Sequence, residues 1–117
     1  MFENAKEEFL RVIGKSGIEC AEIFYEDYIK FFEDFGNGRV PKLETRVYQL
    51  KQGYSQKELD EFLETLNFEY NSGYGTQEIS GTVWMEDGTW FEREEEDGAE
   101  WWMKRVRPYI PNNLKIN

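Results

Sequence analysis

Apolar positions in this chain follow a helical period in two stretches. In residues 2–13 they recur every three or four positions with glutamates between them, which predicts an amphipathic helix. The second stretch begins after Gly53, where Ser55 and Glu58 have the spacing of a capping box. The residues that follow place four apolar side chains on one helical face: Leu59, Phe62, Leu63 and Leu66.

Elsewhere the apolar residues alternate with polar ones, as in a half-buried strand. This pattern predicts strands at residues 18–25 and 44–51 and a short one at 67–70. Residues 26–43 are rich in aromatic side chains but follow neither period, so helix and strand both remain open there.

Three further strand patterns lie between residues 79 and 106 and are joined by Asp87-Gly88 and Asp97-Gly98. Asp-Gly in a two-residue loop is a strong hairpin signal, because both positions require a positive φ. These residues therefore predict a three-stranded antiparallel meander. Together with the two helices, the pattern predicts a single α+β domain over residues 1–117, with an antiparallel sheet packed by two helices.

Two-residue loops would fix the register of the meander. Trp84 would then lie opposite Phe91, and Arg93 opposite Trp102. One face would be mostly apolar and is predicted to be the core: Val83, Met85, Trp90, Trp101 and Met103. The other face would carry Trp84 and Trp102, on either of which Arg93 can stack. A slip of one residue would exchange the two faces.

Charge changes this picture by suggesting a partner. The chain has 24 acids, 14 bases and a net charge of −10, which disfavours binding to nucleic acid or anionic lipid. Residues 86–100 hold eight acids and one base, whereas residues 101–117 hold four bases and no acid. Solubility alone accounts for such a surface, and so does recognition of a basic partner. The predicted partner-binding residues are Glu86, Asp87, Glu92, Glu94, Glu95, Glu96, Asp97, Glu100, Trp84 and Trp102.

The chain lacks the residue types that several kinds of catalytic and metal-binding sites require. The chain has no histidine and one cysteine, Cys20, which excludes His-based nucleophile pairs and zinc sites built from histidine or several thiolates. The acids do not match the spacing of an EF-hand loop, and alternating strand residues diverge instead of converging on an ion, so no metal or other cofactor is expected. Carboxylate-based catalysis needs a cleft for which a chain of this length has little room, so a non-enzymatic role is expected. No signal peptide or membrane span is visible, which favours a cytoplasmic location.

The stretch "FLETLNFEYNSGYGTQEISGTVWMEDGTWFEREEEDGAEWW", residues 62–102, resembles a group of small uncharacterised accessory proteins of bacteriophage and prophage type. The resemblance is carried by "SGYGTQE", "GTVWMEDGTWFER" and "DGAEWW", with Glu96 standing where an aromatic residue is expected. It implies a setting, a phage-type accessory protein in a host cell, and brings no activity with it.

Three roles follow from these observations. The favoured role is non-enzymatic binding to a basic host protein that handles nucleic acid, for example as an inhibitor of a restriction or CRISPR-type defence. The first alternative is a small ligand- or carbohydrate-binding module that uses an exposed tryptophan face. The second alternative is a homo-oligomer in which the aromatic face is the subunit interface.

Overall fold

An antiparallel sheet of five strands organises this α+β fold, and the predicted fold class is confirmed. The computed structural model describes residues 2–26, 45–73 and 76–116; the ambiguous stretch 26–43 lies outside them, apart from Glu26. The elements are β1 (Phe2–Asn4), α1 (Ala5–Val12), β2 (Ile18–Glu26), β3 (Thr45–Leu50), α2 (Gln56–Thr65), β4 (Glu69–Asn71), β5 (Ile79–Met85), β6 (Trp90–Glu96), β7 (Ala99–Arg105) and a 3₁₀ turn (Asn112–Leu114). The strand order is β3-β2-β5-β6-β7, and β1 pairs separately with β4.

The first helix is shorter than its apolar period predicts. Residues 2–4 form β1 instead, because they pair with β4 in a register that joins Phe2 to Asn71. Asn4 then begins the helix, and its side chain accepts a hydrogen bond from the Glu7 amide at 3.0 Å. The prediction of helix from residue 2 was wrong. Local periodicity carries no information about β4, which is distant in the sequence and pairs with residues 2–4.

The second helix agrees with its sequence signals. The Ser55 hydroxyl accepts from the Glu58 amide at 3.1 Å, and the Glu58 carboxylate accepts from the Ser55 amide at 3.2 Å. This capping box satisfies two amide groups that the helix itself leaves unpaired. The four predicted apolar side chains are all buried and belong to the core, together with Phe9 of α1.

The two Asp-Gly turns differ in length. Asp97 and Gly98 have φ of 51° and 87°, and they form the predicted two-residue loop, with Arg93 opposite Trp102. In the other turn the Met85 amide donates to the Thr89 carbonyl at 2.9 Å, which leaves three residues in the loop. Gly88 takes its last position with φ of 88°, as a three-residue hairpin with a bulge requires.

The extra loop residue shifts the register between β5 and β6 by one. Trp84 therefore lies opposite Trp90, and Val83 lies opposite Phe91. Val83, Phe91 and Trp102 are buried in the core under the helices, and Met85 packs against it. The assignment of three other residues to the core was wrong, because strand alternation places Trp90, Trp101 and Met103 on the opposite face.

Candidate binding surface

One face of the five-stranded sheet is covered by neither described helix, because both helices pack on the other face. We call this the outer face. Residues paired across neighbouring strands project from the same side of a sheet, so the registers define its members. They are Cys20, Glu22, Phe24, Glu26, Thr45, Val47, Gln49, Ser80, Thr82, Trp84, Trp90, Glu92, Glu94, Glu96, Ala99, Trp101, Met103 and Arg105.

The aromatic part of the outer face centres on Trp84, which is 42% exposed. Its neighbours across the strands are Cys20 on one side and the half-buried Trp90 on the other. A shallow depression of about 470 Å³ lies beside Trp84 and is bordered by Cys20, Gln49 and Lys51. An accessible tryptophan next to an open depression is the kind of feature that marks an interaction site on a soluble protein.

Carboxylates and one guanidinium border these rings. Trp90 donates through its indole Nε1 to Glu92 at 2.9 Å. Arg105, opposite Trp90, pairs with both Glu92 and Glu94, at 3.5 Å from the Glu92 carboxylate. All three charged side chains are partly exposed, so these ion pairs add little stability and stay open to exchange for pairs with a partner.

The other predicted acids do not form one patch. The loop with Glu86 and Asp87 lies at one end of β6, and the loop with Asp97 lies at the other, about 23 Å away for seven residues of strand. Asp87 also stabilises its own turn, because it accepts from the Thr89 amide at 2.9 Å and from the Thr89 hydroxyl, and these hydrogen bonds lower its pKa. Glu95 likewise accepts from the Gly98 amide at 2.9 Å.

Two predicted partner-binding residues lie in the interior. Trp102 is 6% exposed and meets Phe9 edge to face, and Glu100 is 3% exposed. Both belong to the inner side of β7, so neither is available to a partner. We therefore correct their assignment to the binding surface: the inner face of the meander contains a charged cluster that alternation alone does not predict.

Arg93 is the centre of that buried cluster. Its side chain is 1% exposed and bonds to Glu8 at 3.0 Å and to Glu100 at 2.7 Å. Tyr70 accepts from Arg93 at 3.0 Å and donates to Glu8 at 2.6 Å. The guanidinium lies 5.0 Å from the Trp102 ring centre, as the predicted stacking requires. The Nε of Arg93 is buried without a partner among the described residues.

The two carboxylates of the cluster are held differently. Glu100 also accepts from the backbone amides of Glu78 and Ile79, at 2.8 and 3.1 Å. Glu8 has no such backbone donor among the described residues and shares the single positive charge of Arg93 with Glu100. Burial consequently raises the pKa of Glu8, and it raises the pKa of the Tyr70 hydroxyl as well. The cluster ties α1, β4, β6 and β7 together.

The sequence contains one signal for this cluster. Arg93 is the lone base among eight acids in residues 86–100, and a lone base inside a strand favours a specific pairing over a solvated surface. Glu8 and Tyr70 carry no comparable signal, because a glutamate in a helix and a tyrosine in a strand are common. Their role depends on contacts between residues more than 60 positions apart in the chain.

The described residues contain no group of three histidine, cysteine or acidic side chains that could hold a metal ion. Burial, with the charge of Glu19, raises the pKa of the Cys20 thiol, which keeps it protonated and weakly nucleophilic near neutral pH. Neither described helix has the length and apolar run needed to cross a membrane. Comparison with protein-family models, curated proteins and solved structures finds no match.

Proposed function

We propose that this protein is a non-enzymatic binding module whose outer face recognises a basic surface of another protein. The observation that carries the proposal is the accessible Trp84 on a sheet face that neither described helix covers and that also presents Glu92 and Glu94. Tryptophan is among the residues that contribute most to protein interfaces, and carboxylates around it select for positive partners.

The favoured partner is a basic host protein that handles nucleic acid. Lysine and arginine side chains of such a partner can stack on Trp84 and replace Arg105 beside the outer-face carboxylates. The net charge of −10 speeds the encounter with a basic surface. Inhibition of a restriction or CRISPR-type defence in a host cytoplasm is the specific form of this proposal, and the resemblance to phage-type accessory proteins supports it.

The acidic loops at the two ends of β6 are too far apart to form a single contact site, and this limits how the protein can bind a partner. Glu92 and Glu94 are two positions apart on the outer face, about 6.6 Å along the strand, a spacing compatible with phosphate mimicry. Arg105 between them interrupts that negative track. We therefore assign the specific contact to the mixed aromatic and acidic outer face, and we assign long-range attraction to the acidic loops at either end of β6.

The test compares capture of partners from a bacterial lysate by the wild type, by Trp84→Ser and by a matched control. Phe2→Ser is suited as the control, because Phe2 is a large exposed side chain on the separate β1–β4 sheet. We expect one or a few basic proteins whose recovery falls with Trp84→Ser and with added salt, and stays unchanged with Phe2→Ser. Equal recovery with both variants would overturn the assignment to the outer face.

A ligand-binding role is the second candidate, favoured by the cross-strand pair Trp84 and Trp90. Paired rings on an open sheet can stack on sugars, and the carboxylates beside them can accept hydrogen bonds from hydroxyl groups. Titration of tryptophan fluorescence with a panel of oligosaccharides distinguishes the roles. A saturable change that Trp84→Ser abolishes would establish the carbohydrate role, and a flat response across the panel would exclude it for those sugars.

A further inference from the structure

The last strand of the sheet, β7, has an outer edge that pairs with no other strand among the described residues. The Glu100 amide donates to the Ser72 carbonyl at 2.9 Å on the side away from β6. Backbone groups of a strand alternate in direction, so those of Trp102 and Lys104 point to the same side. Beyond Ser72, no described residue pairs with this edge. An unpaired edge is a template for a further strand.

Charges along this part of the chain make β7 complementary to itself in the antiparallel direction. The residues before Trp101 are acidic, with Glu95, Glu96 and Asp97 at the turn, whereas Lys104, Arg105 and Arg107 follow it. Two copies of such a strand, placed antiparallel, bring the basic end of each beside the acidic turn of the other. Such a pairing would give the opposite charge patterns of residues 86–100 and 101–117 a structural use that solubility does not provide.

We propose that two copies of this chain associate through antiparallel pairing of their β7 strands, with Met103 opposite the second copy's Met103. The result is a continuous sheet of ten strands. In this register Trp102 and Lys104 each exchange backbone hydrogen bonds with the other copy's Lys104 and Trp102. Arg105 lies opposite the second copy's Trp101 on the outer face, where a cation–π contact is available.

Other registers are worse for identifiable reasons. Hydrogen-bonded pairs across the edge must join residues whose backbone N–H and C=O groups point away from β6. These are every second residue of β7, so one strand can slide along the other only in steps of two residues. One shift places Lys104 opposite the second copy's Lys104, a like-charge pair that is destabilising. The opposite shift places Lys104 against Glu100, whose amide already donates to Ser72. The register centred on Met103 avoids the like-charge pair, and its hydrogen-bonded pairs join only Trp102 and Lys104. Pairing ends before Glu100, whose amide keeps its hydrogen bond to Ser72.

The paired segment spans about five residues, so the interface is smaller than that of a permanent dimer. We expect a reversible monomer–dimer equilibrium in the micromolar to millimolar range. The association uses the β7 edge and leaves Trp84 accessible, so it does not depend on the proposed function, and either proposal can fail without the other.

Sedimentation velocity over a range of concentrations tests the association. We expect the wild type to shift toward twice the 14.0 kDa mass of the chain as concentration rises. Lys104→Pro removes the outward-pointing amide without touching a hydrogen bond to β6, and proline is tolerated at such edge positions. It should weaken association at least tenfold, whereas the control Lys104→Ala keeps the amide and should still associate. A wild type that stays monomeric throughout, or a dimer that Lys104→Pro leaves intact, would overturn the proposal.

A cross-linking experiment tests the register and remains informative if Lys104→Pro does not fold. In a Cys20→Ala background, Met103→Cys places two thiols opposite each other with Cα atoms about 4.5 Å apart, within the range of a disulfide. Arg105→Cys places them about 13 Å apart. We expect mild oxidation to cross-link Met103→Cys and to leave Arg105→Cys monomeric. The reverse result, or no cross-link in either variant, would refute the register.

Discussion

At the scale of single residues, the buried Arg93 joins side chains from three other elements of the fold. It compensates two carboxylates that have almost no contact with water. Replacement of Arg93 by Met keeps much of its volume but leaves the charges of Glu8 and Glu100 unpaired in the interior. We expect Arg93→Met to lower the free energy of unfolding by about 3–5 kcal/mol.

Urea denaturation followed by circular dichroism measures this loss. Arg105→Met is the matched control, because Arg105 also pairs with two glutamates but on the exposed outer face. Exposed pairs contribute about 0–1 kcal/mol, so the control should change little. Equal losses in the two variants would contradict the importance that we assign to burial.

Glu8 gives the cluster a pH dependence. Burial raises its pKa above its ordinary value of 4.5, so the folded protein binds this proton more tightly than the unfolded chain does. The resulting stabilisation is fully present below the unfolded pKa and is lost as pH rises through the folded pKa. Glu8→Gln cannot titrate, so the stability of the wild type relative to this variant should fall as pH rises through that window. Urea denaturation of both proteins at several pH values gives the free energy of unfolding of the wild type minus that of Glu8→Gln. An increase of this difference with pH would contradict the prediction.

At the scale of elements, one extra loop residue decides which face of the meander is core. The Asp87-Gly88 dipeptide correctly predicts a hairpin, and the same dipeptide is compatible with a two-residue and a three-residue loop. The choice depends on the hydrogen bond from Met85 to Thr89, which joins residues outside the dipeptide. The sequence therefore predicts the second hairpin, every described strand except β1, and both helices apart from the start of α1. It does not predict that Trp90 and Trp101 lie on the outer face.

The pairing of β2 with β5 depends on a glycine. Gly81 has φ of 135°, and a Cβ at this position would lie 2.2 Å from the Glu22 carbonyl oxygen. Gly81→Ala must therefore separate two central strands as well as strain its own backbone. We expect a loss of about 2–5 kcal/mol, the sum of about 1–2 for an unfavourable φ and 1–3 for overpacking.

Gly53→Ala is the control for this experiment. Gly53 also has a positive φ, of 77°, but a Cβ there would meet nothing within 4 Å. Gly53→Ala should be destabilised only by the unfavourable φ of the new alanine, by about 1–2 kcal/mol. Thermal denaturation of both variants separates the two effects, and equal melting temperatures would show that the strands yield to the added methyl group.

At the scale of the whole molecule, the proposed function assigns long-range attraction to the net charge of −10 and direct contact with the partner to the outer face. These two contributions affect different rate constants. Charges remote from an interface chiefly change the association rate, whereas a buried aromatic contact chiefly changes the dissociation rate. The candidate binding surface can therefore be predicted only in part from the sequence. The sequence gives the number of acids, but the strand register decides which of their side chains point to solvent.

Kinetic binding measurements on a captured partner separate the two contributions. The double variant Glu86→Lys with Glu96→Lys reverses one charge at each end of β6, and neither side chain accepts a hydrogen bond from a described residue. We expect it to slow association and to flatten the salt dependence, because exposed charges act over about 10 Å at 0.1 M salt. Its dissociation rate should stay close to that of the wild type.

Trp84→Ser should behave in the opposite way, with faster dissociation and an unchanged association rate. A second charge variant, Asp60→Lys with Glu61→Lys, changes the net charge by the same amount. Its two substitutions lie on the exposed side of α2, away from the outer face. If the acidic loops of the meander steer the partner, this variant should slow association less than the Glu86 and Glu96 reversal does. Equal slowing by the two variants would mean that net charge alone attracts the partner, and that the acids of residues 86–97 have no special place in recognition.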